Sequence, residues 1–251
     1  MAARDRKRRR RRRGRFSFLY KLLSVIVIIV ALVAGSVVFF RVNDVVVAGN
    51  QRYTAQEVLE ASGIREGDNL FLVNKNRAAG LILQKLPYVD KVSIRRQLPQ
   101  GIVIQISESG AVAAVECEGT TWLLNYRGKV LGTAEEENAA PPVTGLTPLR
   151  PTAGTQLSVA EGESGKLISL LELMNELKEN DCLDKVGSYD LTMESRITFR
   201  YDDRYTVVMP MTTDFAKKAR ALVQVVGSEQ IGETGTIDFT IEDAPHFIPG
   251  S

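Results

Sequence analysis

The chain of 251 residues is poor in the residue types that most chemistry needs. It has one histidine, His246, two cysteines, Cys117 and Cys182, and one tryptophan, Trp122. A catalytic Ser–His or Cys–His pair would have to use His246, which sits between Pro245 and Phe247 with no nucleophile or orienting group beside it. Zinc takes about four Cys, His or carboxylate ligands at short spacings, and two cysteines 65 positions apart do not supply them. So few cysteines also exclude a disulfide-dense scaffold, while a single Cys117–Cys182 bridge and two free buried thiols both stay open. The run Gly162-Glu163-Ser164-Gly165-Lys166 resembles half a phosphate-binding loop. However, Ala160 stands at the first glycine position and Leu167 where a magnesium-holding hydroxyl belongs. Glu135-Glu136-Glu137 reads as a solvated loop and Asp202-Asp203 as a turn. No catalytic residue, metal or cofactor is expected.

Positive charge is missing from most of the chain. The net charge is +2, but residues 1–21 hold eleven Lys and Arg against Asp5, a net +10, which leaves −8 for the remainder. An acidic remainder is a poor candidate for nucleic-acid binding, which wants a basic surface; the arginine run could touch nucleic acid, but beside an apolar run it reads as a topology and anionic-lipid signal. The one long apolar run, residues 22–40, reads LLSVIVIIVALVAGSVVFF and has no charge. Its 19 residues span about 28 Å as a helix at ~1.5 Å per residue, close to the ~30 Å of a bilayer core. Lys21 and Arg41 bracket it. Val33 and Gly35 ahead of Ser36 weakly resemble a signal-peptidase site, yet a signal core runs only about 7–15 apolar residues, so an uncleaved anchor is expected. The basic tail then stays in the cytoplasm near anionic lipid, and the rest of the chain lies across the membrane.

Beyond the run, residues 42–108 read as strand, helix, helix, strand, strand. Asp44 opens a β-branched strand that ends at Gly49-Asn50. Thr54 and Glu57 make a capping box, with Ala55, Val58, Leu59 and Ser62 on the inner face and Gly63 as the C-cap. Asn74 caps a second helix with Ala78, Leu81, Ile82 and Leu86 inside, and Pro87 stops it. Val92 and Ile94 alternate in a strand, Leu98-Pro99-Gln100-Gly101 turns, and Ile102, Ile104 and Ile106 share one face of the partner strand.

These residues carry a resemblance. Val47-x-Gly49-Asn50, Gly63-Ile64-x-x-Gly67-x-Asn69-Leu70, Leu86-Pro87-Tyr88-Val89 and Val92-x-Ile94-x-Arg96-x-Leu98-Pro99 leading to Ile102-x-Ile104-x-Ile106-x-Glu108 follow one another directly after one anchor. The unit resembles a POTRA domain, and the chain from residue 22 onward resembles the FtsQ/DivIB family of bacterial cell-division proteins. Ser109 stands where that family often has Arg. Residues 109–243 resemble the family's β-rich domain: strands at 111–117, 121–125 and 130–131, then a loop-rich stretch to 165 whose Pro142-Val143-Thr144-Gly145-Leu146 should lie against a sheet. Leu167, Leu170, Leu171, Met174 and Leu177 stripe one helix. A strand at 186–191 and a hairpin at 197–209 follow. Thr212 or Thr213 caps a helix with Phe215, Ala219, Leu222, Val223 and Val226 inside. Residues 244–251 read as a tail.

The expected fold class is α+β: an N-terminal transmembrane helix, a β-α-α-β-β POTRA domain and a mixed FtsQ-type β domain. The resemblance implies a noncatalytic scaffold of the division septum in the cytoplasmic membrane. It also implies partners of the FtsL and DivIC/FtsB coiled-coil type, bound by strand addition near the end of the β domain. Carried onto this chain, the docking strand is Thr236, Ile237, Asp238, Phe239, Thr240 and Ile241, with Ile237, Phe239 and Ile241 inward and the others outward. A competing expectation is that the tail covers this edge. A membrane-anchored cell-wall enzyme would need a carboxylate pair or Ser/His site, and an outer-membrane assembly protein would need repeated POTRA units or a barrel. Neither pattern is in the chain.

Overall fold

The computed structural model describes residues 13–134, 140–228, 234–241 and 245–250. The basic tail through residue 12, the Glu135-Glu136-Glu137 run and Gly232 lie outside the described residues. Helix α1 (Arg13–Phe39) is one continuous helix of 27 residues. Its side chains from Phe18 to Val33 are exposed. Among the described residues no helix is long and apolar enough to cross a membrane.

The first unit contains β1 (Asp44–Ala48), α2 (Ala55–Ser62), α3 (Lys75–Lys85), β2 (Val89–Gln97) and β3 (Gly101–Glu108). Its sheet has the order β1-β3-β2, parallel at β1–β3 and antiparallel at β2–β3. Ile102, Ile104 and Ile106 turn one face of β3 onto Val58, Ala78 and Ile82 from the two helices. The capping box forms: Thr54 Oγ1 accepts from Glu57 N, and Glu57 Oε2 accepts from Thr54 N at 2.7 Å. Burial on α2 falls on Val58, Ala61 and Ser62. Ala55, expected inside, is exposed because burial on the short helix begins only at Val58.

Several motif residues act as ties. Glu108 accepts from the Arg52 and Tyr53 backbone N–H groups at 2.7 and 3.2 Å, fixing the entry to α2. Arg96 donates to the carbonyls of Leu70, Phe71 and Val73.

The second unit begins with the antiparallel β4 (Ala113–Cys117), β5 (Thr120–Leu124) and β6 (Val130–Thr133). Then come β7 (Val143–Thr144), α4 (Ser164–Glu179), a 3₁₀ turn at Leu183–Lys185, β8 (Val186–Asp190), β9 (Arg196–Tyr201), β10 (Tyr205–Pro210), α5 (Phe215–Val226), β11 (Gly235–Asp238) and β12 (His246–Pro249). The larger sheet has the order β12-β11-β10-β9-β8-β7. Pro142-Val143-Thr144 lies against it, as the sequence leads one to expect, and Ala114 N donates to Pro141 O to link the two sheets. Leu170, Leu173, Met174 and Leu177 of α4 are fully buried, each contributing about 1.5–3 kcal/mol by burial. Trp122 is partly buried against the same core. The cap of α5 is Asp214, whose Oδ1 accepts from Lys217 N, and not a threonine. Val223 is 40% exposed because the buried face of α5 turns through Lys218 and Leu222 instead. Cys117 and Cys182 are both free thiols.

The two units meet at a polar junction that Pro87 creates. Pro87 has no N–H, so the Leu83 carbonyl four residues earlier loses its helical donor. Lys129, from the second unit, replaces it: its Nζ donates to Leu83 O at 2.7 Å and to Val89 O at 2.9 Å. Burial pulls the Lys129 ammonium below the ordinary lysine range, and the nearby Asp90 carboxylate opposes that. Asp90 accepts from Tyr126 Oη at 2.8 Å and lies 3.5 Å from Arg127 Nε.

Tyr189 at the centre of the second core is 1% exposed, and its hydroxyl has no hydrogen-bond partner among the described residues. Burial pushes its phenol well above the ordinary range, as it does for Tyr201. Tyr189→Phe removes a buried unpaired hydroxyl and is expected to raise the unfolding free energy by about 1 kcal/mol in chemical denaturation. Because the folded phenols bind their protons more tightly than unfolded ones, their contribution is complete below pH ~10 and is lost as pH rises towards the folded value. The variant should therefore lose stability less steeply than wild type above pH ~10.

Candidate partner-docking edge

The six residues expected to form a docking strand are distributed differently in the fold. Thr236, Ile237 and Asp238 lie in β11, which pairs in parallel with β10 on one side and antiparallel with β12 on the other. They are therefore interior to the sheet and not at its edge. Phe239 follows the strand and is 1% exposed. Its backbone is already engaged, its N–H donating to Val208 O at 2.9 Å and its carbonyl accepting from Lys218 Nζ at 3.1 Å. Asp238 Oδ1 accepts from Thr240 N and Thr240 Oγ1, so these two side chains face each other. Ile241, expected inward, is 61% exposed, because the strand ends at Asp238 and its alternation stops there. Ile237 is buried as expected.

The stretch read as a tail supplies the outer strand. The register pairs Gly235 with Pro249, Thr236 with Ile248, Ile237 with Phe247 and Asp238 with His246. Gly250 N donates to Thr234 O at 3.0 Å. In an antiparallel ladder the bonded pairs alternate, so Ile248 and His246 turn their backbone groups towards β11 while Phe247 and Pro249 turn theirs outward. Pro249 thus has its missing N–H on the open side, where a proline costs no ladder bond. Phe247 seats the strand by meeting Tyr205 edge-on at 6.4 Å between centroids. Close approach at Gly235 does the same: a Cβ there would overlap the Ile248 carbonyl oxygen and come within 2.7 Å of the Phe247 ring. Ile248, on the opposite face, is 51% exposed. The far end of the sheet is covered, since β7 meets β4 through Pro141 and Pro142. The signal for β12 was present in the sequence as the apolar pair Phe247-Ile248, but its shortness and its two prolines disguised it.

No group of three or more His, Cys, Asp or Glu side chains that could hold a metal comes together among the described residues. His246 opens β12 opposite Asp238.

A β-α-α-β-β unit joined to a mixed sheet by a polar junction defines a POTRA-type α+β protein. The description "POTRA domain, FtsQ-type" matches residues 40–109, and "Cell division protein FtsQ/DivIB, C-terminal" matches residues 113–239. The chain belongs to the FtsQ/DivIB family of cell-division proteins. It is 32% identical over 161 residues to the cell division protein FtsQ of Corynebacterium glutamicum, covering 62% of this chain and 64% of that one. It is 28% identical over 183 residues to FtsQ of Geotalea daltonii, covering 71% and 60%. With DivIB of Clostridium acetobutylicum the identity is 24% over 212 residues and the coverage 82% of each chain. The solved extracytoplasmic domain of DivIB from Geobacillus stearothermophilus is 20% identical, with a TM-score of 0.27 over 45% of this chain and 87% of that one. The chain thus spans under two thirds of the first two relatives' lengths.

Proposed function

We propose that this chain is a noncatalytic scaffold of the division septum, anchored once in the cytoplasmic membrane, that holds other single-pass division proteins by strand addition. Its parts are a cytoplasmic basic tail (1–21), a membrane helix (22–40), a POTRA domain (42–108), a β domain (109–243) and a C-terminal segment (244–251). The anchor is supported by the uncharged run inside the continuous helix α1, whose side chains from Phe18 to Val33 are exposed. A noncatalytic role is supported by the family.

The observation that carries the docking reading is β12. It is the outermost strand of the larger sheet, its outward backbone groups are those of Phe247 and Pro249, and an exposed isoleucine stands beside them. Such an edge invites a partner strand. The partners are of the FtsL and DivIC/FtsB coiled-coil type, and no nucleic acid or small-molecule substrate is involved.

The test titrates the full chain in detergent with the co-expressed extracytoplasmic parts of the FtsL-type and DivIC/FtsB-type proteins of the same organism. Phe247→Pro removes the outward donor together with the side chain, whereas Phe247→Ala removes only the side chain. Proline is expected to weaken binding by about tenfold or more beyond alanine, the worth of one backbone hydrogen bond at an edge. Equal binding by the two variants would move the site off β12. Failure of the wild-type chain to bind would sink the scaffold reading.

A further inference from the structure

The first unit carries an apolar cap where α1 ends. Phe71 is 50% exposed, Leu72 80%, Leu98 62% and Phe39 59%. Leu72 and Phe71 belong to the loop before α3, and Leu98 to the β2–β3 turn. Both segments are tied to the exit of α1. Leu70 N donates to Phe40 O at 2.9 Å, and Gln100 Nε2 donates to Phe39 O at 3.4 Å. The rings form a chain, Phe39 to Phe40 at 5.2 Å and Phe40 to Phe71 at 5.0 Å, both edge-on.

This cap is held open by design. Asn69 Oδ1 accepts from the N–H groups of Phe71 and Leu72, and Arg96 grips the carbonyls on either side. A loop pinned at that many points presents its apolar side chains in a fixed direction. Leu72 also borders a depression of about 560 Å³ that Arg65, Asp68 and Arg77 line, with the Asp68 carboxylate accepting from the Arg65 backbone N–H at 2.9 Å.

We propose that this cap rests in the lipid interface: Phe71, Leu72 and Leu98 enter the headgroup–acyl boundary, and Arg65 and Arg77 meet anionic headgroups. The occupant is lipid because the patch continues the exposed apolar surface of α1 through Phe39, Phe40 and Phe71. The combination of apolar tips with flanking cations is also what an interfacial anchor uses. The cap would then fix the tilt of the POTRA unit, and through Lys129 that of the β domain, so that β12 is presented at a set height. This inference rests on the proposed membrane anchor.

The test reconstitutes the full chain, with Cys117→Ala and Cys182→Ala, into vesicles of phosphatidylcholine and phosphatidylglycerol. Single spin labels are placed through Leu72→Cys, Leu98→Cys, Ile28→Cys in α1 and Met193→Cys, which is 52% exposed on the second unit. Collision with oxygen is compared with collision with a water-soluble nickel chelate. Labels at Leu72 and Leu98 should favour oxygen several-fold over the label at Met193, at a shallower depth than the label at Ile28. Adding Arg65→Gln and Arg77→Gln should raise nickel access at Leu72 several-fold. If Ile28 favours oxygen while Leu72 favours nickel, the anchor stands and the cap inference fails. If Leu72 is shielded from both, a protein covers the cap and the inference is likewise overturned. If Ile28 favours nickel, the anchor itself is wrong and the cap falls with it.

Discussion

Lys129→Met should lower the unfolding free energy of the full chain by about 3 kcal/mol, because two charge-assisted hydrogen bonds are lost and two carbonyls are left without them. Methionine keeps the aliphatic stem, so packing is nearly unchanged and the measured loss reports the Nζ contacts to Leu83 O and Val89 O. Guanidinium unfolding followed by the fluorescence of Trp122, on the neighbouring β5, reads it. The folded Lys129 holds its proton less tightly than an unfolded lysine does. Its charged form therefore costs stability near neutrality, and that cost is relieved as pH rises through the folded value towards ~10.4. The gap between wild type and variant should widen accordingly above neutral pH. Spin labels at Gln56 and Met193, one in each unit, should also show a broader distance distribution in the variant. A loss under about 1 kcal/mol would mean that desolvating the ammonium offsets its hydrogen bonds.

Gly49→Ala should cost about 3 kcal/mol, the sum of a left-handed alanine and a displaced strand. Gly49 has φ +81°, and a Cβ there would overlap the carbonyl oxygen of Ile106 on β3. Gly67 has nearly the same backbone, φ +87°, but nothing within 4 Å of the added carbon. Gly67→Ala should therefore cost only the conformational part, about 1–2 kcal/mol. Thermal melts by circular dichroism of the two variants separate strain from collision. Equal losses would show that the β1–α2 turn yields to the added carbon.

Both variants fall in phrases that are legible in the sequence, but the sequence does not say why each residue is there. Arg96 and Glu108 read there as positions in strand motifs with no contact attached to them. In the fold, one grips three carbonyls of the 70–73 loop and the other caps two N–H groups before α2. Local chemistry did determine the first unit: the Thr54–Glu57 box, the Asn74 cap, the stop at Pro87 and the isoleucine face of β3 all act within a few residues of themselves. The larger sheet depended on contacts the sequence does not display. β11 pairs in parallel with β10 across α5, and β12 returns to cover β11, leaving the predicted docking strand inside the sheet.

The amino-acid sequence by itself determined the order of elements as far as β11, the apolar faces of the helices and strands, the uncharged run and the family, because these rest on periodicity, capping and short motifs. Only the tertiary structure decided which strand is outermost, how Pro87 calls on a lysine from the other unit, and where Phe71 and Leu72 stand relative to the end of α1. Each of these depends on backbone hydrogen bonds between segments far apart in the chain, whose partners no local pattern specifies.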